Sequence, residues 1–365
     1  MSEGWKYIPF EEGIEKVIKT SKIASSAYKE TGKYPIVSQE DTLISGFWDN
    51  YDDVYKIQHP VVIFGDHTRI IKFIDFNFVI GADGVKILSP IPDIVPRFFY
   101  YYLCWCNIPS LGYSRHYKLL KELQIPIPSL SEQERIVAEL DLLSGIIDKQ
   151  KAQLGELDIL AQSIFYDMFG DPVENERGWN IKKLSDIAEG KLSYGSGSTS
   201  IPFDGNIRYI RITDIDDNGC LKDEVVSPND FNSKYLLNDG DILFARSGAT
   251  VGKTYRHRSS NGKCIYAGYL IRLIPKLEIV NPEYVFGFTK THYYKSFIAL
   301  SQKAVAQPNI NAEQYGNLSI CVPPLSLQES FAQKIQSIES QKESINRSIA
   351  ETQKLFNYTM DKYFG

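Results

Sequence analysis

The segment from Arg246 to Lys263, RSGATVGKTYRHRSSNGK, holds Arg246, Lys253, Arg256, Arg258 and Lys263 and no carboxylate. Cations and hydroxyls in a glycine-punctuated turn suit phosphate oxygens and base edges, arginine being the best reader of guanine and Asn or Gln of adenine. Ser247, Thr250 and His257 add polar groups to the same stretch, and Arg211 sits in a β-type run before it. A counterpart turn upstream supplies His67, Thr68, Arg69 and Lys72. Nucleotide hydrolysis would need different chemistry. In GATVGKT (248–254), Gly248 and Gly252 enclose three residues where a P-loop needs four, and Ser247 stands where the earlier glycine belongs. No convincing acidic strand for Mg²⁺ accompanies it. VPPL (322–325) lacks the polar residue of an amino-methylating Pro-Pro-aromatic motif, and no glycine-rich strand-to-helix turn for a methyl donor is present. Asp66 and His67 could form half of a nucleophilic site, but no serine or cysteine elbow accompanies them. The five histidines lack metal-ligand spacing.

These turns need elements to hold them, and the chain supplies those elements twice. Leu123–Gly170 and Leu318–Gly365 align without a gap at an offset of 195 positions, sharing a proline, Leu-Ser-x-Gln-Glu and a closing Phe-Gly. A unit of that length is too long for a solenoid repeat and indicates tandem duplication. Within each block apolar residues alternate at steps of three and four: Ile136, Leu140, Leu143, Ile147, Leu154, Leu157, Ala161, Ile164 and Met168 in one, Phe331, Ile335, Ile338, Ile345, Ile349, Phe356 and Tyr363 in the other. Gln150, Lys342, Thr352 and Thr359 are polar exceptions. A 3.5-residue period over about five heptads is the pattern of a coiled coil. Ser131 with Glu134, and Ser326 with Glu329, match capping boxes. Two such stripes require burial, and the intervening module makes antiparallel pairing the expectation.

The segments between also correspond: YPIVSQE (34–40) with YIRITDI (209–215), HPVVIFGDHTRIIKF (59–73) with DGDILFARSGATVGKTY (239–255), and FVIGADGVKILSP (78–90) with KCIYAGYLIRLIP (263–275), each of the last two a strand followed by a proline stop. IPDIVPRFFYYYLCW (91–105) answers NPEYVFGFTKTHYYK (281–295), where Pro92 and Pro282 suit a first helical turn. Short strands with Gly and Asn turns predict mixed or mostly antiparallel sheets with a packed helix. The fold class read is α+β: two tandem mixed α/β modules (1–129 and 173–325) and two long helices (130–172 and 326–365) forming an antiparallel coiled coil with a pseudo-twofold internal repeat. YSRHYKLLKEL (113–123) and QKAVAQPNINAEQYGNL (302–318) differ most, which suggests modules that bind different things.

Net charge is mildly acidic, with 40 Lys+Arg against 45 Asp+Glu, which excludes a protein basic all over but not a local basic face. Five scattered cysteines, no signal peptide and no apolar span fit a reduced cytoplasmic protein away from membranes.

Together IPIPSLSEQERIVAELD (125–141), VPPLSLQESFAQKIQ (322–336), GDILFARSGATVGKT (240–254), WNIKKLSDIAEG (179–190) and QPNINAEQYGNLSICVPP (307–324) resemble the DNA specificity subunit of Type I restriction-modification systems. The first module departs from the usual wording at VVIFGDHTR (61–69). The resemblance implies two target recognition domains, each reading half of a split asymmetric site in double-stranded DNA. It further implies conserved spacer helices that set the gap and dock two modification (methyltransferase) subunits, with two restriction (motor-nuclease) subunits completing the complex. S-adenosylmethionine, ATP and Mg²⁺ would then belong to those partners, with no catalysis and no cofactor on this chain. The DNA-contact set expected is His67, Thr68, Arg69, Lys72, Arg211, Arg246, Ser247, Thr250, Lys253, Arg256 and Arg258. Two other readings stay open: a scaffold whose modules recognise something other than DNA, and an enzyme using Asp66 and His67.

Overall fold

A computed structural model describes residues 4–18, 20–112, 114–303 and 309–365. It divides into two compact units, one of residues 1–151 with 346–365 and the other of 152–345. Each long helix thus contributes one part to each unit. Among the described residues no helix is long and apolar enough to cross a membrane.

In the first unit, Val61–Gly65 is a continuous apolar run, the pattern of a strand covered on both faces, and all five residues are buried. It lies between Val85–Pro90 and Ile71–Ile74 in an antiparallel sheet edged by Ile14–Glu15. A second, mixed sheet centres on Phe78–Gly81, with Lys22–Ile23 and Tyr34–Val37 parallel to it and Val54–Tyr55 antiparallel. The helix Pro96–Trp105 packs Phe98 and Phe99 into a core with Val62, Phe64 and Leu88. That core also takes Ile136 and Leu140 from the first long helix and Met360, Tyr363 and Phe364 from the second.

The second unit repeats this plan. Ile242–Ala245 lies between Leu270–Leu273 and Thr254–Arg256, with Ser193–Tyr194 at the edge. Arg208–Ile210 runs parallel to Cys264–Tyr266, as Tyr34–Val37 does to Phe78–Gly81. Phe244, Ile271, Tyr284 and Phe288 share one core with Phe165, Phe169, Phe331, Ile335 and Ile338 of the long helices. A two-stranded pair precedes each long helix, Lys6–Pro9 with Gln124–Ile127 and Asn180–Lys183 with Ser319–Val322. The Gly-Trp at 4–5 and 178–179 marks the start of both modules.

The long helices are Leu130–Phe169 and Leu325–Phe364, 40 residues each. In the first unit Arg135 donates to Tyr363 (3.0 Å) and Gln150 to Ser348 (2.7 Å). In the second, Phe165 meets Phe331 edge to face and Lys342 reaches Asp158 at 2.5 Å. Early residues of one helix therefore meet late residues of the other in both units. Gly170 (φ +77°) follows the first helix, where a left-handed glycine ends a helix at no steric cost.

Several local expectations change. The segments 78–90 and 263–275, each read as one strand, are two strands joined by a turn. Pro96 rather than Pro92 takes the first turn of its helix, while Pro282 does so as expected. Neither capping box forms at Ser131 or Ser326, because both helices start earlier. Ser129 caps the first, its hydroxyl accepting from the Glu132 amide at 3.3 Å. The Pro324 carbonyl accepts from Leu327 and Gln328 at the start of the second.

The reason for the earlier start lies one turn on. Gln133 is fully buried: its Oε1 accepts from Val95 N–H (2.7 Å), and its Nε2 donates to the carbonyls of Asp93 (2.9 Å) and Pro128 (3.0 Å). Gln328, equally buried, repeats all three bonds with Asn281 N–H (2.8 Å), Ile279 O (3.2 Å) and Pro323 O (2.8 Å). Each glutamine ties a long helix to the loop that starts its module's short helix. Gln133→Ala orphans three buried backbone groups, each costing roughly 1–3 kcal/mol, so its unfolding midpoint should fall well below that of the unmodified protein. Gln133→Glu, which cannot donate when ionised, should be worse at neutral pH and recover in part on acidification. A midpoint unchanged for both variants contradicts the role assigned to this side chain.

Candidate nucleic-acid interface

The central strand of each sheet leaves its module through the same backbone clamp. In the second unit the chain turns out at Arg246, whose N–H donates to Tyr269 O (3.1 Å) and whose carbonyl accepts from Ile310 N–H (2.8 Å). In the first unit the equivalent residue is Asp66, its N–H on Gly84 O (2.7 Å) and its carbonyl accepting from His116 N–H (2.8 Å). The backbone is the same at both places. The side chains differ in charge and in direction.

The Arg246 guanidinium lies over the Tyr194 ring (4.8 Å to the centroid), and its Nε donates to Asn309 Oδ1 (3.2 Å). The hairpin loop behind it is closed by Gly252 N–H on Ala245 O (2.9 Å) and Ala245 N–H on Lys253 O (2.8 Å). Gly252 (φ +85°) has no room for a side chain, since a Cβ would meet Ile298 at 2.6 Å. Thr250 Oγ1 donates to Ser247 O (3.1 Å), fixing the loop from within. GATVGKT is thus a β-hairpin connection that continues into a strand. Tyr269, 62% exposed, stands beside the clamp.

The Asp66 carboxylate is buried instead, accepting from Tyr117 N–H (2.7 Å) and lying 3.5 Å from the Lys86 ammonium. His116, fully buried, accepts from Leu111 N–H at Nε2 (2.9 Å), so its Nδ1–H donates to Asp66 O (2.9 Å). Of the adjacent residues, Thr68 Oγ1 donates to Gln39 O (2.6 Å), the His67 amide donates to Gln39 Oε1 (3.2 Å), and Arg69 (φ +64°) donates to Ile108 O (3.0 Å).

Within neither unit do the nominated residues form one surface. Lys72 lies in the interior, its ammonium on the carbonyls of Ser38 (2.9 Å) and Thr42 (2.5 Å), and burial pushes it below the ordinary lysine value. Arg256 and Arg258 lie at the far end of the hairpin from Arg246, sharing Glu283 at 3.4 Å each; burial pushes that carboxyl up. Both line a cavity of about 230 Å³ with Phe165, Phe286, Phe331 and Lys290. Lys253 is paired with Asp217 (2.8 Å), and Arg211 with Asp214 (2.7 Å) and Glu224 (3.0 Å). What remains together at the loop is Arg246, Ser247 and Thr250, joined by Tyr194, Tyr269 and Asn309, which the charge pattern alone did not single out. The turn residues around YAGY (266–269) and the Asn of PNIN (308–311) were the available signal; Gln307 and Pro308, quoted in the resemblance, lie outside the described residues. Among the described residues no three His, Cys, Asp or Glu side chains group as a metal site.

The chain is similar to two Methanocaldococcus jannaschii proteins that carry type I restriction enzyme specificity subunit names. It is 25% identical to MjaX over 201 residues, 51% of this chain and 45% of that one. To MjaVIII it is 25% identical over 133 residues, 36% of this chain and 30% of the other. Each match thus spans less than half the length of the curated relative. Among solved structures the fold is like that of a Type-I restriction-modification system S subunit from M. genitalium (TM-score 0.60, 15% identity, covering 100% of this chain and 98% of that one). It is also like a chain from a study of complex assembly and conformational transition of the type I R-M system (TM-score 0.53, 17% identity, covering 100% and 98%). The model of the type I restriction modification DNA specificity domain matches residues 2–157 and again 176–354, and the chain belongs to that family.

Proposed function

We propose that this chain is the specificity subunit of a Type I restriction-modification adenine methyltransferase and endonuclease, reading a bipartite asymmetric site in double-stranded DNA. One observation carries the reading: two modules with the same strand order and the same buried glutamine present different side chains at the same clamped exit, Asp66 in one and Arg246 in the other. One scaffold with two unlike faces fits a split, asymmetric target. The contact set proposed is His67, Thr68 and Arg69 in the first module and Arg246, Ser247 and Thr250 in the second. Lys72, Arg211, Lys253, Arg256 and Arg258 act in this reading as structural ions.

The paired long helices are the spacer. In this proposal they form an antiparallel coiled coil, related by a pseudo-twofold axis, whose length of roughly 60 Å sets the gap between half-sites. Apolar side chains on their outer faces, Leu142 (65% exposed) and Ile146 on one and Leu355 and Tyr358 on the other, offer surface to the two modification subunits. S-adenosylmethionine sits on those subunits, and ATP and Mg²⁺ on the two restriction subunits of the full cytoplasmic complex. This chain itself supplies no catalysis. The family match and the hairpin form of GATVGKT support that division of labour.

Mapping methylated adenines in cells with and without the gene tests the whole reading. The expected result is loss of one split motif with a fixed gap; an unchanged methylation map overturns it. Purified complex should also lose affinity for its duplex steeply with added salt, because phosphate contacts release counterions. The ruler has its own test. Removing 147–153 together with 345–351 deletes one heptad from each helix and preserves the apolar phase, shortening the spacer by about 10 Å. The half-sites should stay the same while the gap contracts by about three base pairs (about 3.4 Å each); a constant gap rules the ruler out. For docking, Leu142→Glu with Ile146→Glu should abolish copurification with the modification subunit at an unaltered unfolding midpoint. Retained copurification places that interface elsewhere.

A further inference from the structure

We infer that Arg246 is a base-reading residue of the second module and that its half-site contains a guanine read through N7 and O6 in the major groove. The inference rests on the DNA-reading role proposed above and adds the base and the side chain.

Three observations carry it. First, Arg246 is the arginine of its unit that keeps its reading edge open. Arg177, Arg208, Arg211, Arg256, Arg258 and Arg272 each set a terminal nitrogen on a backbone or carboxylate oxygen. Among the described residues Arg246 uses only Nε, on Asn309, and no carboxylate lies within ion-pair distance of it. Second, its guanidinium is already held. The Tyr194 ring 4.8 Å from the guanidinium carbon and a bond at Nε restrict the group, and among the described residues Nη1 and Nη2 have no hydrogen-bond partner. That pair matches the two acceptors on the major-groove edge of guanine, and an arginine oriented beforehand loses less entropy when it binds. Third, the backbone that carries it is clamped on both sides, to Tyr269 and to Ile310. A phosphate contact needs no such preparation, since a flexible lysine can serve it as a point charge.

The first module makes the contrast. At the same clamp Asp66 turns inward and spends its carboxylate on the Tyr117 amide and Lys86. No reader extends from that position, so the first half-site has no requirement arising there.

The test uses the chain purified with its modification subunits and duplexes carrying its mapped site. Each guanine of the second half-site is replaced in turn by 7-deazaguanine, which pairs normally with cytosine but lacks the N7 acceptor. For the unmodified protein one such position should lower affinity about tenfold or more. For Arg246→Ala the same replacement should have no further effect, and Arg246→Lys should bind with relaxed preference at that base pair. First half-site preferences should be unchanged in both variants. Two results overturn the inference while leaving the DNA-reading role intact: Arg246→Ala with every second half-site preference retained, or a uniform loss across all sequences with a shallower salt dependence, the mark of a phosphate contact. A complex without preference for any split duplex overturns the DNA-reading role and this inference together.

Discussion

The architecture depends on one side chain used twice, a primary amide buried at the start of each long helix. A glutamine there brings an acceptor and two donors to a place where one backbone N–H and two carbonyls would otherwise be unpaired in the interior. Glutamate has the acceptors and lacks the donors; asparagine is one methylene shorter. Because the amide is locked to the loop ahead of Pro96 in one module and Pro282 in the other, each helix starts at a set angular phase relative to its own sheet. The helix ends are then structural members of the module cores, as Ile136 and Phe364 show in the first unit and Phe169 and Phe331 in the second.

Fixing the scaffold so firmly frees the hairpin loops to vary. The clamp at residues 66 and 246 uses backbone groups on both sides, so the side chain at that position can change without disturbing strand order. The first module uses this freedom to bury a carboxylate, and the second to hold out an arginine on a tyrosine face. At this position, divergence after duplication falls where main-chain bonds already satisfy the fold.

How much of this was legible in the chain follows the range of the interactions. The repeat, the apolar seam and the pairing of strand segments all depend on local patterning, and they are readable by eye from 123–170 and 318–365. The N-caps lie two residues before Ser131 and Ser326, because those serines carry only the local capping pattern, while the deciding contact is made by Gln133 and Gln328 to loops some 40 to 50 residues away. The charge-rich turn was overcounted for the same reason. Nothing near Arg256 and Arg258 in sequence announces Glu283, and nothing beside Lys72 says that Ser38 and Thr42 will offer it carbonyls. Unpaired cations in a sequence window acquire partners only when the fold closes. Tyr194 and Asn309 entered the candidate site by that route.

The polar breaks in the seam make sense on the same terms. Gln150 and Lys342 would weaken an apolar stripe considered alone, yet each meets a matched partner on the opposite helix, Ser348 in the first unit and Asp158 in the second. Such pairs add little net stability, because desolvation offsets much of the attraction. Their effect is on alternatives. A slip of one heptad would move Lys342 from Asp158 to Lys151 or Phe165 and Gln150 from Ser348 to Gln341 or Leu355, whereas an all-leucine seam would accept either shift at small cost. In the function proposed, a spacer that fixes a gap needs one register more than it needs maximal stability, and the residues that interrupt the hydrophobic pattern are placed to specify it.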